Sequence, residues 1–199
     1  MTNTKMNRRR FVLAGSAGLL LSQPALAKTK FNFTSGLNTT SHNSSYRGKK
    51  IVKYKTREKV GTIIINTSER RLYRVLPGGK AVKYGVGVGR AGFEWSGVAK
   101  IQRKAEWPAW RPPAEMIARE RRKYGRELPA VMEGGPRNPL GARALYLYQG
   151  NRDTLYRIHG TNNPASIGKA LSSGCIRMLN EEVIDLFNKT RKGTKVIVL

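Results

Sequence analysis

Apolar residues fall in short, strand-length runs along the last two-thirds of the chain. Gly61-Thr62-Ile63-Ile64-Ile65-Asn66 and Leu72-Tyr73-Arg74-Val75-Leu76, separated by the polar turn Thr67-Ser68-Glu69-Arg70, form a β-hairpin pattern. A second turn at Pro77-Gly78-Gly79 leads into residues 81–88. Residues 98–105, 144–149, 154–159 and 194–199 repeat the strand pattern with Val, Ile, Leu and Tyr. Helical signals are fewer. Residues 113–124 begin with proline, and residues 164–171 have Asn163 as N-cap and Pro164 at the first helical position. Asn180 is expected to cap a third helix, whose apolar face is Val183, Ile184, Leu186 and Phe187 and whose Glu181 and Glu182 suit the positive helix start. The pattern predicts a mainly β fold with short peripheral helices, in one domain over residues 60–199.

The chain before that domain reads differently. Residues 28–59 are rich in Ser, Thr, Asn, Lys and Arg with few apolar positions, which predicts a flexible, basic and polar linker. Residues 1–27 read as a cleavable signal peptide: Lys5, Arg8, Arg9 and Arg10, then an apolar run from Phe11, then Ala25-Leu26-Ala27 as a small-x-small cleavage site. Arg8-Arg9-Arg10-Phe11-Val12-Leu13 resembles a twin-arginine signal, with Sec export as the other route. An uncleaved membrane anchor fits poorly, because Gly15, Ser16, Gly18 and Pro24 interrupt a run already shorter than the roughly 20 residues of a span.

Charge changes the list of partners. The chain carries a formal +26, and cleavage after Ala27 removes four positive and no negative charges, leaving +22. Such a field attracts polyanions. Export to the periplasm or cell envelope removes nucleic acid as the partner and offers anionic cell-wall polymer and outer-membrane surfaces instead.

Candidate chemistry is concentrated in one stretch. Cys175 is the single cysteine, so it forms no intramolecular disulfide, and His159 is one of two histidines, the other being His42 in the linker. A free thiol in an oxidising compartment is either buried as a small hydrophobe or used as a nucleophile, and a nucleophile needs a base or cation beside it. Two other signals lead elsewhere. Gly87-Val88-Gly89-Arg90-Ala91-Gly92 matches G-x-G-x-x-G, but a strand follows where dinucleotide binding needs a helix, so no cofactor is expected and the glycines suit a tight loop of positive φ. No His, Cys and carboxylate cluster has metal-ligand spacing. The segment Trp107-Pro108-Ala109-Trp110-Arg111-Pro112-Pro113 is a rigid loop, either wrapped over the sheet or forming the wall of a cleft.

The stretch from His159-Gly160 to Ser172-Ser173-Gly174-Cys175-Ile176-Arg177, with fifteen residues between histidine and cysteine, resembles the active-site signature of the L,D-transpeptidases, the YkuD-like domain family. The resemblance runs from about Gly61 to Leu199 and includes Val86-Gly87-Val88-Gly89-Arg90, Asn138-Pro139-Leu140-Gly141 and Gly193-Thr194-Lys195-Val196. The chain departs from many members at Ser173, where they carry a second histidine, and at Arg177, where they carry asparagine. The substrate-binding role of that histidine is therefore not carried over.

The resemblance implies an L,D-transpeptidase-type β-sandwich or mixed sheet and a cysteine acyltransferase acting on peptidoglycan stem peptides. It assigns Cys175 as nucleophile, His159 as general base and acid, and the Gly160 carbonyl as the group orienting the imidazole. The N–H groups of Gly174 and Cys175 are the oxyanion candidates, and Ser172, Ser173 and Arg177 the substrate-binding ones. Arg177 either pairs with a substrate carboxylate or braces the loop. The acyl acceptor is a second stem peptide, an outer-membrane lipoprotein or water, and carbapenem acylation of Cys175 is also implied. The alternatives are a non-catalytic, basic wall-binding protein and a thiol peptidase of other specificity.

Overall fold

Ile63, Ile64 and Ile65 are all buried, as a central strand covered on both faces requires. In the computed structural model, which describes Tyr46 and residues 48–199, they form β2 (Ile63–Asn66). A turn returns the chain as β3 (Arg71–Leu76), antiparallel to β2. With β1 (Lys50–Lys53), β4 (Lys80–Gly85), β6 (Gly97–Glu106), β7 (Arg143–Gln149), β8 (Arg152–His159), β10 (Ile176–Arg177) and β11 (Lys195–Val198), they make one nine-stranded mixed sheet. Its order is β1-β4-β3-β2-β11-β6-β7-β8-β10. A second, two-stranded sheet pairs β5 (Val88–Gly89) in parallel with β9 (Ala170–Ser172). The fold is mainly β with two short α-helices, α1 (Ala114–Tyr124) and α2 (Asn180–Asn188).

Ile63, Leu72, Ile101, Leu145, Ile158 and Val196 meet in one core, which α2 closes with Val183 and Leu186. Lys104 fixes the end of α2 by donating to the carbonyls of Phe187 (2.7 Å) and Thr190 (2.6 Å), where the helix dipole is negative. Register shifts between Ile101 and Arg103 and between Tyr146 and Tyr148 interrupt the ladders on both sides of β7, the irregularity that bends a sheet locally.

Four expectations are corrected. The linker expected through residue 59 is structured from β1 onward: Ile51 and Val52 pair with β4, Tyr54 stacks on Tyr73 (4.5 Å), and the Tyr46 hydroxyl donates to Glu182 (2.6 Å). A polar average over residues 28–59 hides the local run Ile51-Val52-Lys53-Tyr54. The helix expected over residues 164–171 is a single 3-10 turn, Pro164–Ser166, because Ile167 turns extended and Gly168 takes φ +80 before β9. Asn180 starts α2 without capping it; its side chain accepts from the N–H groups of Ala142, just before β7, and Thr161, just after β8, instead. Of the glycines in the 87–92 stretch, only Gly92 has positive φ, and Gly87 and Gly89 are required by close packing. The signal-peptide reading and most of the linker fall on residues outside the described ones. No helix among the described residues is long and apolar enough to cross a membrane.

Candidate active site

β8 ends at His159, and β10 begins immediately after Cys175. The two strands are parallel, with Ile176 opposite Ile158 and Arg177 opposite His159. Extending that register by one residue aligns Cys175 with Arg157. Because side chains alternate between faces with period two, Cys175, Arg177, Arg157 and His159 share one face. The electrostatics agree, since the charges of Arg157 and Arg177 act on both the thiol and the imidazole.

His159 is 4% exposed, and its Nδ1 lies 2.6 Å from the Gly160 carbonyl. A carbonyl only accepts, so Nδ1 carries the proton and Nε2 is the basic nitrogen. Burial pushes the imidazole down to about 4; the Gly160 carbonyl, and more weakly that of Leu140, oppose this, and Arg177 and Arg157 reinforce it. Burial also pushes the Cys175 thiol up, against the lowering effect of the Arg157 N–H and the two guanidinium charges. The resting pair is a neutral imidazole and a protonated thiol. The thiol points to the Leu155 carbonyl at 3.9 Å, and no hydrogen bond joins Sγ to the imidazole. Leu155 itself has φ +63, strained for a non-glycine residue.

The turn after His159 is held by a residue that sequence reasoning assigned elsewhere. Asn180 Oδ1 accepts from the N–H groups of Ala142 (3.0 Å) and Thr161 (3.2 Å), and it occupies the space a Cβ would need at Gly141 or Gly160. Gly160 N–H adds a bond to Arg143 O (3.0 Å). Asn138 organises the adjoining loop: its Nδ2 lies 3.0 Å from the carbonyls of Pro108, Met132 and Glu133, and its Oδ1 accepts from Leu140 N–H. The Trp107 segment is tied to the same loop through Trp107 N–H to Ala142 O (2.8 Å). Only the chain motif around Asn138 hinted at this hub.

The cysteine loop spans the gap between the two sheets, from β9 to β10. Gly174 adopts φ +108 with the Tyr156 ring against its Cα, a place no other residue fits. Ser172 is buried, and its hydroxyl donates to Cys175 O (2.6 Å) while accepting from Gly174 N–H (3.2 Å). Through these two internal bonds the buried Ser172 side chain positions the loop. Of the two oxyanion candidates, Gly174 N–H is engaged, and only Cys175 N–H lacks an acceptor among the described residues. Ser173 is exposed at the tip. Arg177, half-buried, has its backbone bridged to Gly87 and a side chain without a hydrogen-bond or ion-pair partner among the described residues.

Residues 61–198 match the sequence profile of YkuD, the L,D-transpeptidase catalytic domain. The chain belongs to the L,D-transpeptidase family. The relative named Probable L,D-transpeptidase YbiS, of Escherichia coli (strain K12), is 42% identical over 139 residues, covering 67% of this chain and 43% of that protein. This L,D-transpeptidase chain therefore spans less than half the length of such curated relatives. Among solved structures, the catalytic domain of the E. faecium L,D-transpeptidase acylated by ertapenem is 17% identical with a TM-score of 0.52, covering 72% of this chain and all of that one, a likeness of fold. A crystal structure named as a probable carnitine operon oxidoreductase caia from Brucella melitensis is 47% identical, with a TM-score of 0.52 and coverage of 78% and 95%. A Cβ at Gly87 would meet Ser166 O at 2.6 Å and one at Gly89 would meet Phe93 O at 2.5 Å, so protein backbone fills the space beside both glycines. Among the described residues no three His, Cys, Asp or Glu side chains converge to hold a metal ion.

Proposed function

We propose that this protein is an exported cysteine L,D-transpeptidase acting on peptidoglycan tetrapeptide stems. The observation that carries the reading is the pairing of β8 with β10, which puts Cys175 and His159 on one face with the Gly160 carbonyl against Nδ1. In the first step Sγ leaves the Leu155 carbonyl, passes its proton to Nε2 of His159 and attacks the carbonyl carbon of the diamino acid at the third position of the stem. The oxygen that gains negative charge accepts from the Cys175 N–H, a contact of the kind worth about 3 kcal/mol in a transition state. Collapse breaks the amide to the terminal D-Ala, whose nitrogen takes the proton from His159. A thioester and free D-Ala result.

An amine then attacks the thioester, giving its proton through His159 to the departing thiolate. The side-chain amine of a second diamino acid gives a 3→3 cross-link; a lysine of an outer-membrane lipoprotein gives an anchored protein; water gives a carboxypeptidase. Arg177 offers a guanidinium fork beside the sulfur to a substrate carboxylate or carbonyl, and exposed Ser173 lies at the entrance. Residues 1–27 serve export to the periplasm, and the positive surface retains the enzyme on anionic envelope polymer. A carbapenem ring acylates Cys175 by the same attack.

The test is incubation of the purified protein with a tetrapeptide stem and quantification of free D-Ala. Release by the wild type and its loss in Cys175→Ala support the proposal; no release by the folded wild type contradicts it.

A further inference from the structure

β10 begins only after Cys175, so the edge of β8 beside the cysteine keeps one acceptor and one donor for the sulfur. Sγ lies 3.9 Å from the Leu155 carbonyl, and the Arg157 N–H favours its ionised form. Both groups belong to an irregular stretch of β8. Between the pairs Tyr146–Arg157 and Tyr148–Asp153, β7 places only Leu147, while β8 places Thr154, Leu155 and Tyr156. The extra length forms a bulge. Thr154 braces it, donating its hydroxyl to Leu147 O (2.6 Å) and accepting from Tyr156 N–H (3.2 Å).

Asp153 ties the rest of the bulge together. Its Oδ1 accepts from Leu155 N–H (2.8 Å), which fastens the residue held at φ +63. The same carboxylate takes both arms of the Arg157 fork, Nη1 to Oδ1 and Nη2 to Oδ2, each at 3.0 Å. Nη1 also donates to Tyr156 O (3.2 Å), and the guanidinium lies 4.6 Å from the centre of the Tyr146 ring. The Arg157 and Asp153 side chains are 16% and 31% exposed, so their charges reach the sulfur with less screening than those of a surface pair. Any short acceptor at position 153 would close the bulge. A two-armed ion pair beside a thiol does more.

We infer that Asp153 is a positioning residue for the thiol: one carboxylate turns the Leu155 carbonyl toward Sγ and fixes the Arg157 guanidinium beside it, so that the pair sets how readily Cys175 gives up its proton. The meaning of this for catalysis rests on the proposed reading of Cys175 as the nucleophile. The two members act in opposite senses, Arg157 favouring the thiolate and Asp153 disfavouring it. The remaining charge on the thiol is Arg177 from β10, with His159 neutral; β5 and β9, joined to the cysteine loop, carry no charged residue.

Alkylation of Cys175 by iodoacetamide, followed by intact mass between pH 7 and pH 10, reports the thiolate fraction and needs no stem peptide. Asp153→Asn keeps an acceptor for Leu155 N–H and loses the negative charge. Its alkylation midpoint is expected to move down, with the rate at pH 7 rising by about threefold or more. Arg157→Gln removes the cation and is expected to move the midpoint up, slowing the rate at pH 7 by a similar factor. In the double variant the two shifts largely cancel. A brace with no electrostatic part would not split the signs, because a loosened loop moves both variants the same way. Midpoints displaced in opposite directions as stated uphold the inference, and any other pattern in folded variants overturns it. If Arg157→Gln does not fold, the sign for Asp153→Asn decides alone, and Asp153→Ser, which also keeps a short acceptor, takes its place if that variant fails. D-Ala release from a tetrapeptide stem is scored separately. Opposed midpoints without release uphold the pairing and remove the proposed function; release with unmoved midpoints does the reverse.

Discussion

Arg177 stands opposite His159 across the β10 and β8 ladder, and its charge adds to burial in disfavouring the protonated imidazole. Burial does most of this, bringing the ring to about 4, while the thiol of Cys175 is pushed the other way. The site therefore waits as a neutral pair and not as a thiolate–imidazolium pair. On the proposed reading, proton transfer accompanies attack on the substrate.

The pH profile follows from that arrangement. kcat/KM reports the free enzyme, so its acid limb should have a midpoint near 4 and not near the ordinary 6.5 of histidine. Arg177→Met, which removes a cation facing the ring, should move the midpoint upward. A wild-type limb centred at 6 or above would contradict the assignment.

Asn180 supplies one oxygen to two backbone N–H groups on either side of the His159 turn. Asn180→Ala leaves both without that acceptor and is expected to cost about 1–3 kcal/mol in urea unfolding, with a fall in kcat. Asn180→Asp keeps an acceptor there and should recover most of the stability.

The two serines before Gly174 should behave differently. Ser172→Ala removes the hydroxyl that bridges Gly174 N–H and Cys175 O, so kcat is expected to drop by about tenfold as the loop loses its set position. Ser173→Ala, at an exposed tip with no bond inside the loop, should leave stability within about 0.5 kcal/mol and kcat nearer the wild type than Ser172→Ala does, any loss falling on KM. Equal effects on turnover would sink the distinction.

Strand-length apolar runs made most of the sheet legible, because β2, β3, β6, β7, β8 and β11 carry their own Val, Ile, Leu and Tyr. β9 and β10 were not legible. They are three and two residues long, and they exist because Val88 and Ile158 offer ladders that the local sequence does not encode. The same limit explains Asn180: an asparagine at a helix start reads as a cap, and only the approach of Gly141 and Gly160 converts it into a staple for the turn after His159. Cys175 stands out as the single cysteine and His159 as the one histidine outside residues 28–59, while the part given to the Gly160 carbonyl came from the family resemblance. Arg157 was not, since nothing local marks an arginine two residues before a histidine, and its importance comes from sheet register.

Stability should carry two opposed pH signatures. Burial pushes Glu182 up to about 7 from 4.5, and its Oε2 has no partner among the described residues. The native state then holds the proton longer than the unfolded chain, so this contribution is full below 4.5 and is lost as pH rises toward 7. His159, lowered from 6.5 to about 4, acts in reverse: its contribution is full above 6.5 and is lost as pH falls toward 4. Glu182→Gln should remove the first signature, leaving stability that rises by about 2–3 kcal/mol between pH 4 and 6.5. Denaturant midpoints measured across this range check it, and an unchanged profile would rule out a buried, protonated Glu182.

The central claim is that Cys175 becomes covalently acylated by a stem peptide. Intact-mass spectrometry of the purified protein, quenched in acid during turnover of a tetrapeptide stem and followed by peptide mapping, measures this directly. The account predicts an added mass equal to the stem minus D-Ala, located on Cys175 and absent from Cys175→Ala. Turnover with no adduct at any time, or an adduct on another residue, would contradict it.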